Sequence, residues 1–307
     1  MNYHPGLHRF AVLTACATFG LLIMGALVTS NDAGLSVPDW PLSYGSLTPP
    51  MVGGIVYEHT HRVVASVIGL LTIVLTVWLW RREERRWVRR IGYVAMAAVV
   101  VQGLLGGMTV LLKLPPVVSV FHACLAQTFF CLMVTIATVT SDRWTERSAP
   151  FREYALPAAT TAVVFGQLAL GAILRHAGTV NGDKAAEFIF PAFIAHLLGA
   201  GLVLIMVVVL GISLANPNRT RSGGGVAFLL FGLLVLQILL GLGSYMYRLQ
   251  AAGGGSPALL GVILTASHLA GGAAMLATSL WTTLQESRVI GRFVETPPLG
   301  LATPTGS

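Results

Sequence analysis

The sequence predicts an all-α integral membrane protein with eight transmembrane helices, arranged as two parallel-repeat four-helix bundles. Three observations carry this. The 307 residues are 55% hydrophobic and 10% charged, with a mean hydropathy of +0.76, which no ordinary soluble domain matches. Eight apolar stretches are each long enough to cross a bilayer, given that a helix needs roughly 20 apolar residues to span about 30 Å of hydrocarbon. The two halves of the chain also echo one another.

The stretches lie near residues 10 to 30, 59 to 80, 91 to 112, 117 to 140, 154 to 175, 191 to 214, 225 to 247 and 257 to 284. They are runs of Leu, Val, Ala and Gly without the period-two alternation that a β-barrel requires, so the backbone must satisfy its own hydrogen bonds as helices. The first span follows only about nine residues and no small-residue cleavage site follows it, so it is read as retained.

Orientation follows from the basic residues. With the N-terminus inside, Arg9, the six arginines of "RREERRWVRR", Arg143, Arg147, Arg152, Arg219, Arg221, Arg288 and Arg292 all fall on the inner face. That is 14 of the 19 Lys and Arg residues, with Arg62, Lys113, Arg175, Lys184 and Arg248 outside. The positive-inside rule thus places both termini in the cytoplasm, and a bacterial plasma membrane is the simplest location. The net charge of +7 reflects this topology. The basic residues border spans and no aromatic-bearing soluble domain accompanies them, so nucleic acid is excluded as a partner and the lipid bilayer is the expected one.

The repeat is visible in short segments. "LIMGALV" at 22 to 28 returns as "LALGAIL" at 168 to 174, an offset of 146, and "VVQGLLGG" at 100 to 107 returns as "VLQILLGL" at 235 to 242, an offset of 135. The expected organisation is a first repeat over 1–140, a connector over 141–153, a second repeat over 154–288 and a disordered tail over 289–307. Four spans per repeat is an even number, so both repeats enter from the same side and are parallel rather than inverted.

The histidines obey the same two offsets. His61 and His196 differ by 135, and His122 and His268 by 146. All four fall toward the outer leaflet, two per repeat. A single histidine inside a membrane is as well explained by an interhelical hydrogen bond. Four at duplicated positions favour metal ligation, and paired imidazoles on facing helices suit the two axial positions of a haem iron better than a zinc site, which calls for further ligands. The reading is two haem sites, one per repeat.

Glu58 precedes His61 by three residues, about one helical turn on the same face. A loop-end carboxylate is the bland alternative, but the equivalent position in the second repeat is Phe193. A carboxylate beside a metal in a low-dielectric site can take up a proton or stabilise positive charge, so Glu58 points to a task confined to the first half. Arg62 is placed either against a haem propionate or as an interfacial anchor, and His59 points away from His61 and is not taken as a ligand. Asp32, Asp39 and Trp40 lie in a Pro- and Gly-punctuated loop, read as a cap over the bundle in preference to a lid over a haem edge. Cys16, Cys124 and Cys131 fall in spans as small hydrophobes, and no cysteine pair occupies an outer loop.

With its "EHTHR" motif opening span 2, the preceding "NDAGLSVPDWPLSYG", the histidines of spans 4, 6 and 8, and "LQILLGLGSYMYR", the chain resembles the haem A synthase family over roughly residues 8 to 285. The resemblance implies that His61 and His122 form the pair at which substrate haem O is bound, with Glu58 as the catalytic carboxylate. It implies that His196 and His268 hold the iron of a haem b cofactor. The implied reaction oxidises the C8 methyl of haem O to a formyl group through an alcohol. Haem O synthase is the implied partner, with a ferredoxin or quinone as electron partner and a homo-oligomer left open. Many members carry two cysteines in the first outer loop; residues 31 to 57 contain none, so the chain looks like the cysteine-free subtype. A two-haem quinol-linked membrane cytochrome b, or a haem-handling transporter or assembly factor, stay open as alternatives at this point.

Overall fold

The computed structural model describes residues 3–144, 149–177, 184–216, 223–251 and 259–288. The expected tail over 289–307 and residues 145–148 of the expected connector lie outside the described residues. The described residues form eight helices: α1 (Pro5–Ser30), α2 (Gly54–Arg82), α3 (Arg86–Leu111), α4 (Pro116–Val139), α5 (Phe151–Ala177), α6 (Lys184–Ala215), α7 (Gly223–Ala251) and α8 (Leu259–Glu286). All eight are long and apolar enough to cross a membrane. The protein is a multi-pass membrane protein, all-helical among the described residues.

Most helices run past the apolar spans that announce them. α2 begins five residues before the expected start at 59, so Tyr57, Glu58 and His59 belong to the helix and not to the loop. Prolines open two helices: Pro5 at the first turn of α1 and Pro116 at that of α4, where the missing N–H would have had no intrahelical partner and the fixed φ suits the helix. Inside the spans, hydroxyl groups are satisfied locally. Thr18 donates to Thr14 O at 2.7 Å, Thr72 to Ile68 O at 2.8 Å and Thr138 to Val134 O at 2.8 Å, which removes the need for a partner in hydrocarbon.

The helices form two rings. α1 to α4 contact in sequence and α1 closes on α4; α5 to α8 do the same and α5 closes on α8. The rings meet where α1 touches α8 and α4 touches both α5 and α8. Each ring has its own apolar core. Ile68, Leu75, Leu79, Val88, Met133 and Ile136 fill the first, and Val207, Leu210, Leu230, Met275 and Leu276 fill the second. A third, smaller cluster of Leu22, Phe130 and Ala273 joins α1, α4 and α8 across the boundary.

Lipid is as apolar as leucine, so helices associate through close packing and not through a hydrophobic drive. α1 meets that requirement with small residues: Ala11, Thr14, Ala15, Thr18 and Ala26 are all buried. Its Cys16 faces outward, and Cys124 and Cys131 are only partly covered. Large apolar side chains line the outer surfaces of α2, α6 and α7, with Leu70, Leu198 and Phe228 among the most exposed.

α2 and α3 approach closely at Gly92, whose carbonyl accepts from Thr76 Oγ1 at 3.1 Å. A Cβ there would meet Leu79 Cδ1 at 3.0 Å, and Leu79 is fully enclosed. Gly92→Val is expected to destabilise the bundle by about 1–3 kcal/mol through overpacking, lowering the thermal midpoint in detergent. Gly69→Val, at a position with nothing within 4 Å of an added Cβ, is the comparison. Equal midpoints for the two variants would contradict this packing.

Candidate haem-binding sites and the outer cap

Four histidines stand in matching surroundings. The Cε1 edge of each imidazole faces a glycine on the preceding helix, so close that an added Cβ would approach it to 3.3 Å for His61 at Gly25 and 3.2 Å for His122 at Gly106. The corresponding values are 3.2 Å for His196 at Gly171 and 3.0 Å for His268 at Gly241. The glycines share the offsets of the histidines: Gly25 and Gly171 differ by 146, and Gly106 and Gly241 by 135. A Cβ at any of the four would require the ring to give by a few tenths of an ångström.

In the second ring, the His196 and His268 imidazole centres are 6.5 Å apart. A metal bound by both needs two metal–nitrogen bonds of about 2 Å plus the two ring radii, roughly 6 Å in all. The spacing therefore fits axial ligation of one iron. Nδ1 of His61, His122 and His268 is buried without a hydrogen-bond partner, which is costly unless something else is bound or aligned there. Among the described residues no group of three or more His, Cys, Asp and Glu gathers around a metal position.

Glutamines secure two of the four histidines. Gln102 Nε2 donates to the His122 main-chain carbonyl at 3.1 Å, and Gln167 Nε2 donates to that of His196 at 2.9 Å. Gln167 Nε2 also lies 3.1 Å from His196 Nδ1. The Oε1 atoms of Gln102 and Gln167 are themselves buried and unpaired.

Above the first ring, the loop between α1 and α2 folds down as a cap. Glu58 is 3% exposed. Its Oε2 accepts the Val37 N–H at 2.8 Å and its Oε1 pairs with Arg62 at 2.5 Å. Arg62 also donates to Asp39 O at 2.6 Å, Leu42 O at 2.8 Å and Val37 O at 3.2 Å. The guanidinium that the sequence offers to a propionate is thus taken up by loop carbonyls and by Glu58, because the loop turns back across the first turns of α2. His59, set aside as a ligand, lies with Nδ1 2.8 Å from Ser43 Oγ and pins the same loop. Trp40 rests on α3 at Gly107, where an added Cβ would come within 2.7 Å of the indole.

The tip of the cap is a tight turn. Ser43 and Ser46 exchange main-chain hydrogen bonds of 3.1 and 3.0 Å around Tyr44 and Gly45, which have φ of 53° and 66°. Two successive positive φ values aim both amides at one point, and Asp39 occupies it, accepting from Tyr44 N and Gly45 N at 2.7 Å each. The Gly45 and Tyr44 amides, helped by Arg62, hold the Asp39 carboxyl below its ordinary range. From the second ring, Arg175 donates to Thr29 O and pairs with Asp32 at 3.0 Å, tying α5 to the base of the cap. Asp32 and Asp39 therefore serve the cap.

Among the described residues, the second ring has no such carboxylate–arginine pair. Phe193, the counterpart of Glu58, stacks on Tyr245 of α7 at 5.1 Å, and Leu197, the counterpart of Arg62, is exposed. The glycines were within reach of sequence reasoning, since the four segments that reveal the repeat each contain one. Gln102 and Gln237 mark the repeat, but the bonds of Gln102 and Gln167 to the histidine carbonyls and the seat of Trp40 on Gly107 needed coordinates.

Two expectations follow for the cap. Arg62→Met leaves the Glu58 carboxylate buried without its partner, a loss of ~3 kcal/mol, so amide exchange across residues 37–45 is expected to rise about a hundredfold; unchanged protection would contradict the staple. Because the Asp39 carboxyl is held low in the folded loop, its contribution is present above the unfolded value and is lost as pH falls through the folded one. In a variant retaining Trp40 as its only tryptophan, emission is expected to stay constant from neutral pH through the usual carboxylate range and to shift only below it.

Comparison with known proteins agrees with this architecture. The family model COX15-CtaA, described as "Cytochrome oxidase assembly protein", matches residues 54–187. A "Heme A synthase" of Shouchella clausii is 31% identical over 157 residues, half of this chain and half of the relative. That of Symbiobacterium thermophilum is 32% identical over 209 residues, covering 61% of this chain and 68% of the relative. That of an Exiguobacterium species is 30% identical over 247 residues, covering 74% and 80%. The chain thus spans about half the length of the first of these relatives and about four fifths of the last. At 30% identity or better across more than two thirds of two such relatives, this chain belongs to the haem A synthase family of cytochrome oxidase assembly proteins.

Proposed function

We propose that this protein is a haem A synthase that oxidises the C8 methyl of haem O to a formyl group through an alcohol, with α1–α4 as the substrate repeat and α5–α8 as the cofactor repeat. The observation that carries this reading is the asymmetry between two otherwise equivalent histidine pairs. Among the described residues, only the first pair has a buried carboxylate one turn from a histidine, tied to the loop that covers it.

On this reading His61 and His122 bind the iron of the substrate haem O, while His196 and His268 hold a resident haem b. The haem b supplies one-electron redox chemistry when bound. Glu58 is the residue that takes up a proton or stabilises positive charge at the reacting centre. Each of its oxygens accepts one hydrogen bond, from Val37 or Arg62, and a carboxylate oxygen has room for a second. Arg62 fixes the orientation of that carboxylate and keeps the loop closed, which excludes water from the mouth of the ring. Gly25 and Gly106 let the two imidazoles lie close to α1 and α3, and Gln102 holds the α4 backbone at His122.

The membrane in question is proposed to be the bacterial plasma membrane, with both termini cytoplasmic. A haem O synthase supplies the substrate, and a ferredoxin or quinone takes part in electron transfer.

The direct test is mass detection of haems separated from membranes that coexpress the full chain with a haem O synthase. Haem A or its hydroxymethyl precursor is the expected product, and only haems B and O from haem-loaded protein with a competent electron partner would overturn the reading. In the same assay His196→Ala and His268→Ala are expected to lose the resident haem b. Glu58→Ala is expected to retain haem and stop turnover; full conversion by that variant would remove Glu58 from the chemistry.

A further inference from the structure

At the opposite end of the first ring, where α1 begins and α2 turns into α3, a cleft of about 400 Å³ opens among His4, Trp80, Arg81, Arg82, Glu84 and Arg89. Its size is that of a small-ligand site. The side chains of Arg81, Arg82 and Arg89 make no hydrogen bond or ion pair with any described residue. This is unusual in so short a turn, because a carboxylate stands beside them. Glu83, at the cleft edge, is already bound: its Oε1 accepts from Arg85 Nε at 2.8 Å and from Arg85 N at 3.0 Å, and its Oε2 accepts from Arg85 Nη2 at 2.7 Å. Arg85 in turn donates to Val139 O at 2.9 Å at the end of α4 and lies over the Trp87 ring.

That fork-to-fork pair is largely buried, and it fixes the floor of the cleft. Burial works against the Glu83 charge, and the Arg85 side chain and amide outweigh it, holding the carboxyl below its usual range. Glu83 is therefore matched by Arg85, and three arginines face a single remaining carboxylate, Glu84. Two helix N-termini add to the excess. α1 follows His4 and α3 follows Arg85, and neither has a side-chain cap for its first amides, so both present the positive end of a helix dipole.

The cleft also continues into the apolar surface. Ile73, Val77 and Trp80 are exposed along one face of α2 leading up to it, and Tyr93 lies exposed one turn beyond Arg89 on α3. A tryptophan and a tyrosine at this level mark the boundary between headgroups and acyl chains. Arginine forks suit phosphate oxygens, and basic clefts between transmembrane helices accept anionic headgroups.

We propose that this cleft binds an anionic phospholipid, with the headgroup phosphate held by Arg81, Arg82 and Arg89 and an acyl chain lying along Ile73 and Val77. The ligand chemistry, a phosphate ester, is shared with free phosphate; the apolar track leading from the cleft selects the lipid.

The test uses the full chain in detergent, titrated with phosphatidylglycerol or with phosphatidylcholine of the same acyl chains, and counts bound lipid by native mass spectrometry. Phosphatidylglycerol is expected to bind at least tenfold more tightly. Arg81→Gln/Arg82→Gln/Arg89→Gln is expected to lose that preference, whereas Arg86→Gln/Arg90→Gln, which removes charge from the same turn outside the cleft, is expected to keep it. Should the triple variant fail to purify, Arg89→Gln alone is expected to reduce the preference. Retention of the preference in the cleft variants, equal loss in the control, or displacement of the lipid by inorganic phosphate at matching concentration would each overturn the proposal.

Discussion

An imidazole can lie flat between two transmembrane helices only where the neighbouring helix has no Cβ in its way. Helices pack with their axes 8–10 Å apart, and a histidine ring reaching into that gap meets backbone almost at once. Gly25, Gly106, Gly171 and Gly241 supply the missing volume at four places related by the same offsets as the histidines. Everything else in the two sites depends on this contact. Beside these contacts, His196 and His268 stand 6.5 Å apart, and Nδ1 of His61, His122 and His268 is buried without a hydrogen-bond partner.

The two rings diverge above that shared plan. In the first, the energetically demanding act of burying Glu58 is offset by one ion pair and one main-chain amide, and the same arginine gathers three loop carbonyls. Cap and carboxylate are therefore one unit: the loop cannot move without changing what the carboxylate touches. In the second ring, an aromatic stack between Phe193 and Tyr245 occupies the equivalent position, with no carboxylate in it. On the proposed reading, one ring works on what it binds and the other holds.

Much of this was legible in the sequence. The eight spans follow from hydropathy alone, because a bilayer permits little besides a helix for an apolar stretch of that length. The histidine positions and their pairing followed from the two offsets. What hydropathy could not reach were the helix ends: α2 starts before its apolar run because loop residues bury the polar first turns, so Glu58 sits inside the helix and not at a loop end. The fate of Arg62 was also hidden, since a cation near a haem-binding motif has several anionic or carbonyl partners within reach, and only the path of the loop decides among them. The glycines were in plain view inside the repeated segments, yet a glycine in a membrane helix is common enough that its contact with an imidazole is recognisable only once the partner is seen.

The central claim is that each glycine-seated histidine pair holds one haem. It is tested most directly by replacing Gly171 and Gly241 together with valine in the full chain and measuring haem per protein from the pyridine haemochrome spectrum, beside the matching Gly25 and Gly106 double variant. With helical content unchanged in both, the account predicts that the Gly171→Val/Gly241→Val protein loses its resident haem b, while the Gly25→Val/Gly106→Val protein keeps it. Full retention of haem b when Gly171 and Gly241 are filled would contradict the account.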